Sequence, residues 1–226
     1  KYLHTTVYGE HIQSPQIRFA SRFAGVMGDR FETVYFTNSG SEAVEVAMKA
    51  GRKSTGRYKV LSCKQAYHGS TLGAESLRSD IDYTSAFMPG LPGVDHIGFN
   101  AMEDLGKIDQ SVAILIMEVV QAEAGVRLPD ADWLHAVRNR CTEQGVLLAF
   151  DEIQTGFGRT GKLFAHKHYG IYPDLLIMAK AMGGGMPIGA VAGDHRLLNS
   201  FAHDPALGHI TTFGGHPLSV AASAAV

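Results

Sequence analysis

The sequence predicts an α/β fold, a largely parallel sheet with helices on both faces, and two observations carry that prediction. Short apolar runs alternate with stretches of helical spacing, the order a parallel sheet requires because each connection crosses back over one face. Several of those runs also end abruptly in one ionisable or hydrogen-bonding residue. In open α/β sheets that carboxyl end is where ligands bind.

Taken in order, Val34-Tyr35-Phe36 is a short apolar run followed by the polar turn Thr37-Asn38-Ser39-Gly40-Ser41. Glu42 to Lys53 has helical spacing, with Ala43, Val46, Ala47 and Ala50 on one side. Lys59-Val60-Leu61-Ser62 is the next strand and leads to Tyr67-His68-Gly69. Val112 to Met117 is a further one, ending in Glu118. Trp133 to Gln144 reads as a helix with Gly145 just past its end. Val146-Leu147-Leu148-Ala149-Phe150 then ends in Asp151, and Leu175-Leu176-Ile177-Met178-Ala179 ends in Lys180. Leu218 to Val226 reads as the start of an amphipathic helix with no stop signal. Ser39, Tyr67, Glu118, Asp151 and Lys180 all follow strands, so a parallel sheet would gather them on one rim.

The 226 residues suffice for one large core, and 45% hydrophobic against 19% charged residues is an ordinary globular balance. A net charge of -2 offers no electrostatic case for nucleic acid or an acidic membrane surface. No apolar stretch is long enough to span a bilayer. Cys63 and Cys141 lie far apart and read as two reduced thiols in a cytoplasmic protein. Lys1 is no initiator and no signal peptide follows it, so residues 1–226 are expected to be an internal piece of a longer protein, forming one domain. The 26 glycines cluster around polar turn residues without a fixed period.

Each constellation admits a plain reading beside a chemical one. Asn38-Ser39-Gly40-Ser41-Glu42-Ala43 opens a helix, where free N–H groups and the helix dipole suit a phosphate and Ser39 and Ser41 add hydroxyls. Equally, it is an ordinary serine N-cap with Glu42 in the first turn. Tyr67 could stack on a planar ring with His68 beside it, or form a half-buried turn. Asp151 resembles the magnesium-binding acid of P-loop ATPases, but no Gly-x-x-x-x-Gly-Lys-Ser/Thr string precedes it. The other reading of Asp151 is a buried carboxylate facing a protonated ring nitrogen. Gly156 to Gly161 matches Gly-x-Gly-x-x-Gly, yet no strand directly precedes it, so a tight surface loop is the better account. Lys180 precedes Ala181-Met182-Gly183-Gly184-Gly185, where absent side chains would admit a bulky ligand and desolvate an amine for Schiff-base chemistry. A solvated strand-end lysine is the alternative. His166 and His168 fall into no zinc spacing, so no metal is expected.

Together these strings resemble the class III (ω-amino acid) aminotransferases, pyridoxal-phosphate enzymes of fold type I. The resemblance runs nearly end to end, through Asn38 to Ala43, Tyr67-His68-Gly69, Glu118 to Gly125, Asp151 to Gly161, Pro173-Asp174, Lys180 to Gly184 and Thr211 to Gly215. It implies the large cofactor-binding domain of that fold over residues 1–226, without the family's carboxyl-terminal domain. It further implies that Lys180 bonds covalently to pyridoxal 5'-phosphate and that Asp151 pairs with the pyridinium nitrogen. Tyr67 would stack on one ring face, Ile153 would pack on the other, and Gln154 would sit near the ring hydroxyl. Ser39, Gly40 and Ser41 would bind the phosphate, and His68 would stand close to the ring. Thr212 would reach the cofactor of a partner subunit, making the enzyme a homodimer. Glu123 matches the glutamate that pairs with a substrate-selecting arginine in ornithine and 4-aminobutyrate aminotransferases.

The implied reaction moves an amino group from an ω-amino acid or N-acetylornithine-like donor to a 2-oxo acid such as 2-oxoglutarate, with Lys180 as base and then acid. A glutamate-1-semialdehyde-type aminomutase, a decarboxylase and a non-catalytic homologue are the alternatives. Val119, Ala122 and His216 depart from residues common in the family.

Overall fold

The computed structural model describes residues 11–226, so the reading of the first ten residues lies outside the described part. The first helix, α1 (Ser14–Met27), buries Phe19, Phe23 and Met27 at four-residue spacing. Pro15 sits in its first turn, where a fixed φ and a missing N–H cost nothing. Next come β1 (Thr33–Thr37), α2 (Gly40–Thr55) and β2 (Lys59–Cys63), then two short helices, α3 (Leu72–Ser76) and α4 (Ile81–Thr84). They are followed by β3 (Val94–Ile97), β4 (Val112–Glu118), α5 (Ala131–Gln144), β5 (Leu147–Asp151), β6 (Leu175–Met178) and β7 (Gly189–Gly193). Two helices, α6 (His195–Leu198) and α7 (Pro217–Ser223), complete the described elements, α7 ending the helix expected from Leu218 onward.

The seven strands lie in the order β1-β7-β6-β5-β4-β2-β3. β7 runs antiparallel to both of its neighbours, and every other pairing is parallel. Reversing twice across β7 leaves β1 pointing the same way as β6, so the carboxyl ends of six strands share one rim.

Helices cover both faces, as expected. On one, α2 lays Val44, Ala47 and Met48 against Ile114 and Ile116 of β4 and Leu175 and Ile177 of β6. On the other, α1 and α5 cover Leu115, Met117, Leu148, Phe150 and Met178, with Trp133 buried among them. All seven residues of β4 are buried, which explains its unbroken apolar run. Burying each of its Val, Ile, Leu and Met side chains contributes about 1.5–3 kcal/mol.

α1, β3 and β7 lie outside the elements expected from the sequence. β7 is Gly-Ala-Val-Ala-Gly, poor in strand-forming side chains, and its glycines are required by neighbours. A Cβ at Gly189 would lie 2.2 Å from the Ser39 carbonyl oxygen, so only glycine lets β7 pass the turn after β1.

Candidate active site

A cavity of about 320 Å³ opens at the common rim, lined by residues that follow β1, β2, β4, β5 and β6. Ser39, Tyr67, Glu118, Asp151 and Lys180, one from each strand end, all border it. So do Gly40, Ser41, His68, Glu123, Ile153 and Gln154.

The amino terminus of α2 forms one wall. Ser39 Oγ accepts the Glu42 N–H at 3.2 Å, and Glu42 Oε2 accepts the Asn38 N–H at 2.8 Å. Thus the plain serine cap is real, and the same turn still borders the cavity. Within α2 the N–H groups of Gly40 and Ser41 have no acceptor one turn back. Two glycines let this wall pack closely. A Cβ at Gly40 would meet Ile153 Cδ1 at 2.8 Å, and one at Gly69, with φ +119, would fall 2.0 Å from Ser41 Oγ.

Asp151 sits at the floor, 5% exposed. Its Oδ2 accepts from His68 Nδ1 at 2.7 Å, and Oδ1 accepts the Ile153 N–H at 3.0 Å. His68 Nε2 lies 3.1 Å from Ser62 Oγ, which completes a buried Ser62–His68–Asp151 chain. Because its partner is a carboxylate, Nδ1 carries the hydrogen. Burial pulls the His68 imidazolium down, but the hydrogen bond to Asp151 and the charges of Asp151 and Glu118 outweigh it and hold His68 above its ordinary range.

Glu118 is the register partner of Asp151 on the adjoining strand and is equally buried. Burial pushes its carboxyl up to about 7, with the His68 charge opposing and the Asp151 charge reinforcing. Its Oε2 accepts the Tyr67 N–H at 3.3 Å. The Tyr67 ring is half-buried, its hydroxyl 3.2 Å from Ser70 Oγ and its face 5.8 Å from the Arg78 guanidinium. Glu118 follows an apolar strand as Asp151 does, and that signal could have put it among the site residues.

Lys180 Nζ donates to Gln154 Oε1. Two expectations about this lysine need correction. Lys180 is exposed, not desolvated, because the cavity opens on its side. The glycines after it do not clear space for a ligand either. Gly184 and Gly185 have φ +55 and +98 and turn the chain, while Met186, Pro187 and Ile188 supply the lining. Lys180 itself has φ +46, a conformation that costs a residue with a side chain about 1–2 kcal/mol.

Glu123 is exposed at the cavity. Thr212, by contrast, is not brought to Lys180. It is exposed and borders a separate cleft with Glu42, Glu45, His209 and Phe213. Of the site residues that the resemblance implies, it alone lies off the cavity.

The site thus joins a primary amine, a buried carboxylate backed by histidine and a helix terminus suited to an anion. The pattern of the class-III aminotransferase family matches residues 2–226. The chain is 43% identical over 197 residues to the [LysW]-aminoadipate semialdehyde/glutamate semialdehyde transaminase of Sulfolobus acidocaldarius, covering 87% of this chain and 50% of that protein. It is 43% identical over 215 residues to the acetylornithine aminotransferase of Archaeoglobus fulgidus, covering 94% and 56%. Its fold matches taurine:2-oxoglutarate aminotransferase from Bifidobacterium kashiwanohense, solved in complex with PLP and glutamate, with a TM-score of 0.89 at 31% identity over 99% of this chain and 56% of that one. The chain belongs to the class-III aminotransferases. It spans about half the length of the curated relatives it matches.

Proposed function

We infer that the chain is the large cofactor-binding domain of a pyridoxal-phosphate-dependent aminotransferase. It would take an ω-amino acid or N-acetylornithine-like donor and pass the amino group to a 2-oxo acid such as 2-oxoglutarate. One observation carries the reading: Lys180, Asp151 and the α2 terminus border a single cavity at the sheet's carboxyl rim. The residues suit the cofactor's parts. The N–H groups of Gly40 and Ser41, unpaired at the start of α2 and bordering the cavity, fit a phosphate, with Ser39 adjoining. The Asp151 carboxylate, fixed by His68, fits a protonated ring nitrogen. Tyr67 and Ile153 would enclose the ring, and Gln154 would sit near its hydroxyl.

Pyridoxal phosphate supplies an electron sink for the carbanion left when the donor carbon loses its proton. The chain's own groups do the rest. Asp151 would keep the ring nitrogen protonated, and His68 and Ser62 hold that carboxylate oriented. Lys180 Nζ would hold the cofactor and would serve as the base and then the acid that moves the proton at the donor carbon. Glu123 stands at the mouth, where it would meet the donor's far end or an arginine that selects it.

We place Thr212 at the cofactor of a second copy in a homodimer. Support comes from its position off its own cavity, on a segment that leaves Ile210 and Phe213 69% and 58% exposed. Cytoplasmic residence is supported by two buried, unpaired thiols, Cys63 and Cys141. Among the described residues no helix is long and apolar enough to cross a membrane.

The reading is tested by the absorbance spectrum of the whole protein with pyridoxal phosphate, alongside Lys180→Ala. A visible band that borohydride bleaches and that the variant lacks is expected. Donors added singly should convert the band. A native protein that forms no such band would overturn the assignment.

A further inference from the structure

Asp151 and Glu152 are consecutive, so they leave the end of β5 toward opposite faces. The first enters the cavity. The second, 1% exposed, enters the aromatic core behind the sheet, where the reaction proposed above has no use for a charge. There its carboxylate accepts four hydrogen bonds: from Thr155 Oγ1, from the Ala165 N–H at 2.9 Å, from the His166 N–H at 2.8 Å and from His166 Nδ1 at 3.0 Å. Four is about the full capacity of a carboxylate. The fully buried His166 ring stacks on Phe164 at 5.8 Å and lies 6.2 Å from Phe150, and its Nε2 has no partner. Glu152 and ring packing are therefore what hold it.

Those bonds span a loop. The donors at Ala165 and His166 stand at its far end, Thr155 stands near its start, and the Glu152 carbonyl accepts the Gly156 N–H at 2.8 Å. Meanwhile the Glu152 N–H donates to the Ile177 carbonyl of β6 at 3.0 Å, fixing the loop's base to the sheet. Residues 153–164 are thus stapled shut by one side chain. Of these, Ile153 and Gln154 border the cavity, and Gln154 Oε1 accepts from Lys180 Nζ. Burying a carboxylate costs several kcal/mol before its donors offset it. An exposed surface turn requires no such charge, whereas a fixed Gln154 does require a fixed loop base.

We propose that Glu152 is a positioning residue: by stapling the 153–164 loop from behind the sheet, it holds the Gln154 carboxamide on the Lys180 amine. The proposal rests on the aminotransferase reading for its purpose but not for its geometry. In Glu152→Gln the amide NH2 would face donors that now meet an oxygen, so the staple opens without change of size.

The test measures two quantities in the whole protein: the acylation rate of Lys180 across pH, read by mass spectrometry after removal of cofactor, and the pH midpoint of the visible band in the loaded enzyme. Glu152→Gln and Gln154→Ala should each speed acylation on the order of tenfold, about what loss of one hydrogen bond to a charged group corresponds to. The double variant should be no faster than either, and both single variants should move the band midpoint in the same direction. Thr155→Val, which removes one of the four donors and keeps the shape, should give a smaller effect, about threefold, and serves if Glu152→Gln fails to fold. If the Glu152 and Thr155 variants lower the melting temperature yet leave Lys180 acylation and the band unchanged, the residue is merely structural and the proposal falls. Effects of Glu152→Gln and Gln154→Ala that multiply would overturn it too. A native protein that binds no pyridoxal phosphate would sink the aminotransferase reading alone, since acylation is read without cofactor.

Discussion

Two carboxylates one residue apart, Asp151 and Glu152, are buried alike at 5% and 1%, yet they meet opposite surroundings. Asp151 has one nitrogen donor on each oxygen and a second buried acid, Glu118, beside it in register. Glu152 is saturated with donors and has aromatic rings around its histidine. The cavity-side acid keeps capacity for another partner, and the rear acid keeps none. Burial alone therefore does not mark a reactive group; unspent hydrogen-bonding capacity beside a cavity does.

The contrast can be broken most forcefully at Asp151. Asp151→Asn should lower turnover by about a hundredfold, the upper end of what one charge-assisted hydrogen bond contributes. The check is steady-state kinetics beside a visible spectrum, and unchanged turnover would put Asp151 on a par with any structural acid.

Glu118 sharpens the same contrast through pH. Folded, its carboxyl binds a proton more tightly than the ordinary 4.5, being pushed up to about 7. Its stabilising contribution is full below about 4.5 and is lost as pH rises toward 7. His68, also held above its ordinary range, contributes in the same sense at higher pH. Thermal melts from pH 4 to 8 should show this decline, and Glu118→Gln should flatten it by at most about 3 kcal/mol. An identical slope in both proteins would mean that Glu118 titrates as an ordinary surface acid.

The smallest effect belongs to Ser39, whose hydroxyl caps α2. Ser39→Ala should cost about 1 kcal/mol in urea denaturation. No loss of stability would shift the role of that hydroxyl wholly to ligand binding.

Much of this site was legible because a parallel sheet turns sequence position into space. Apolar runs that stop at Glu118, Asp151 and Lys180 must end on one rim, and they do. What escaped has physical reasons. β7 carries glycine where Ser39 and Leu175 crowd it, so its composition reads as a loop. The four-residue spacing of Phe19, Phe23 and Met27 was a usable signal for α1 that went unread. The Glu152–His166 pair depends on the path of the intervening loop, which no local pattern encodes. The glycines after Lys180 serve backbone dihedrals, and composition does not distinguish that use from clearance for a ligand. Thr212 borders a separate cleft beside Glu42 and Glu45, a placement that no local pattern encodes.

The left-handed backbone of Lys180 has one more consequence. Glycine adopts φ +46 without penalty, so Lys180→Gly would leave the protein roughly 1 kcal/mol more stable and chemically idle. At this position durability and use pull apart. The proposed reaction needs the amine, while the backbone at this position favours the one residue that lacks a side chain.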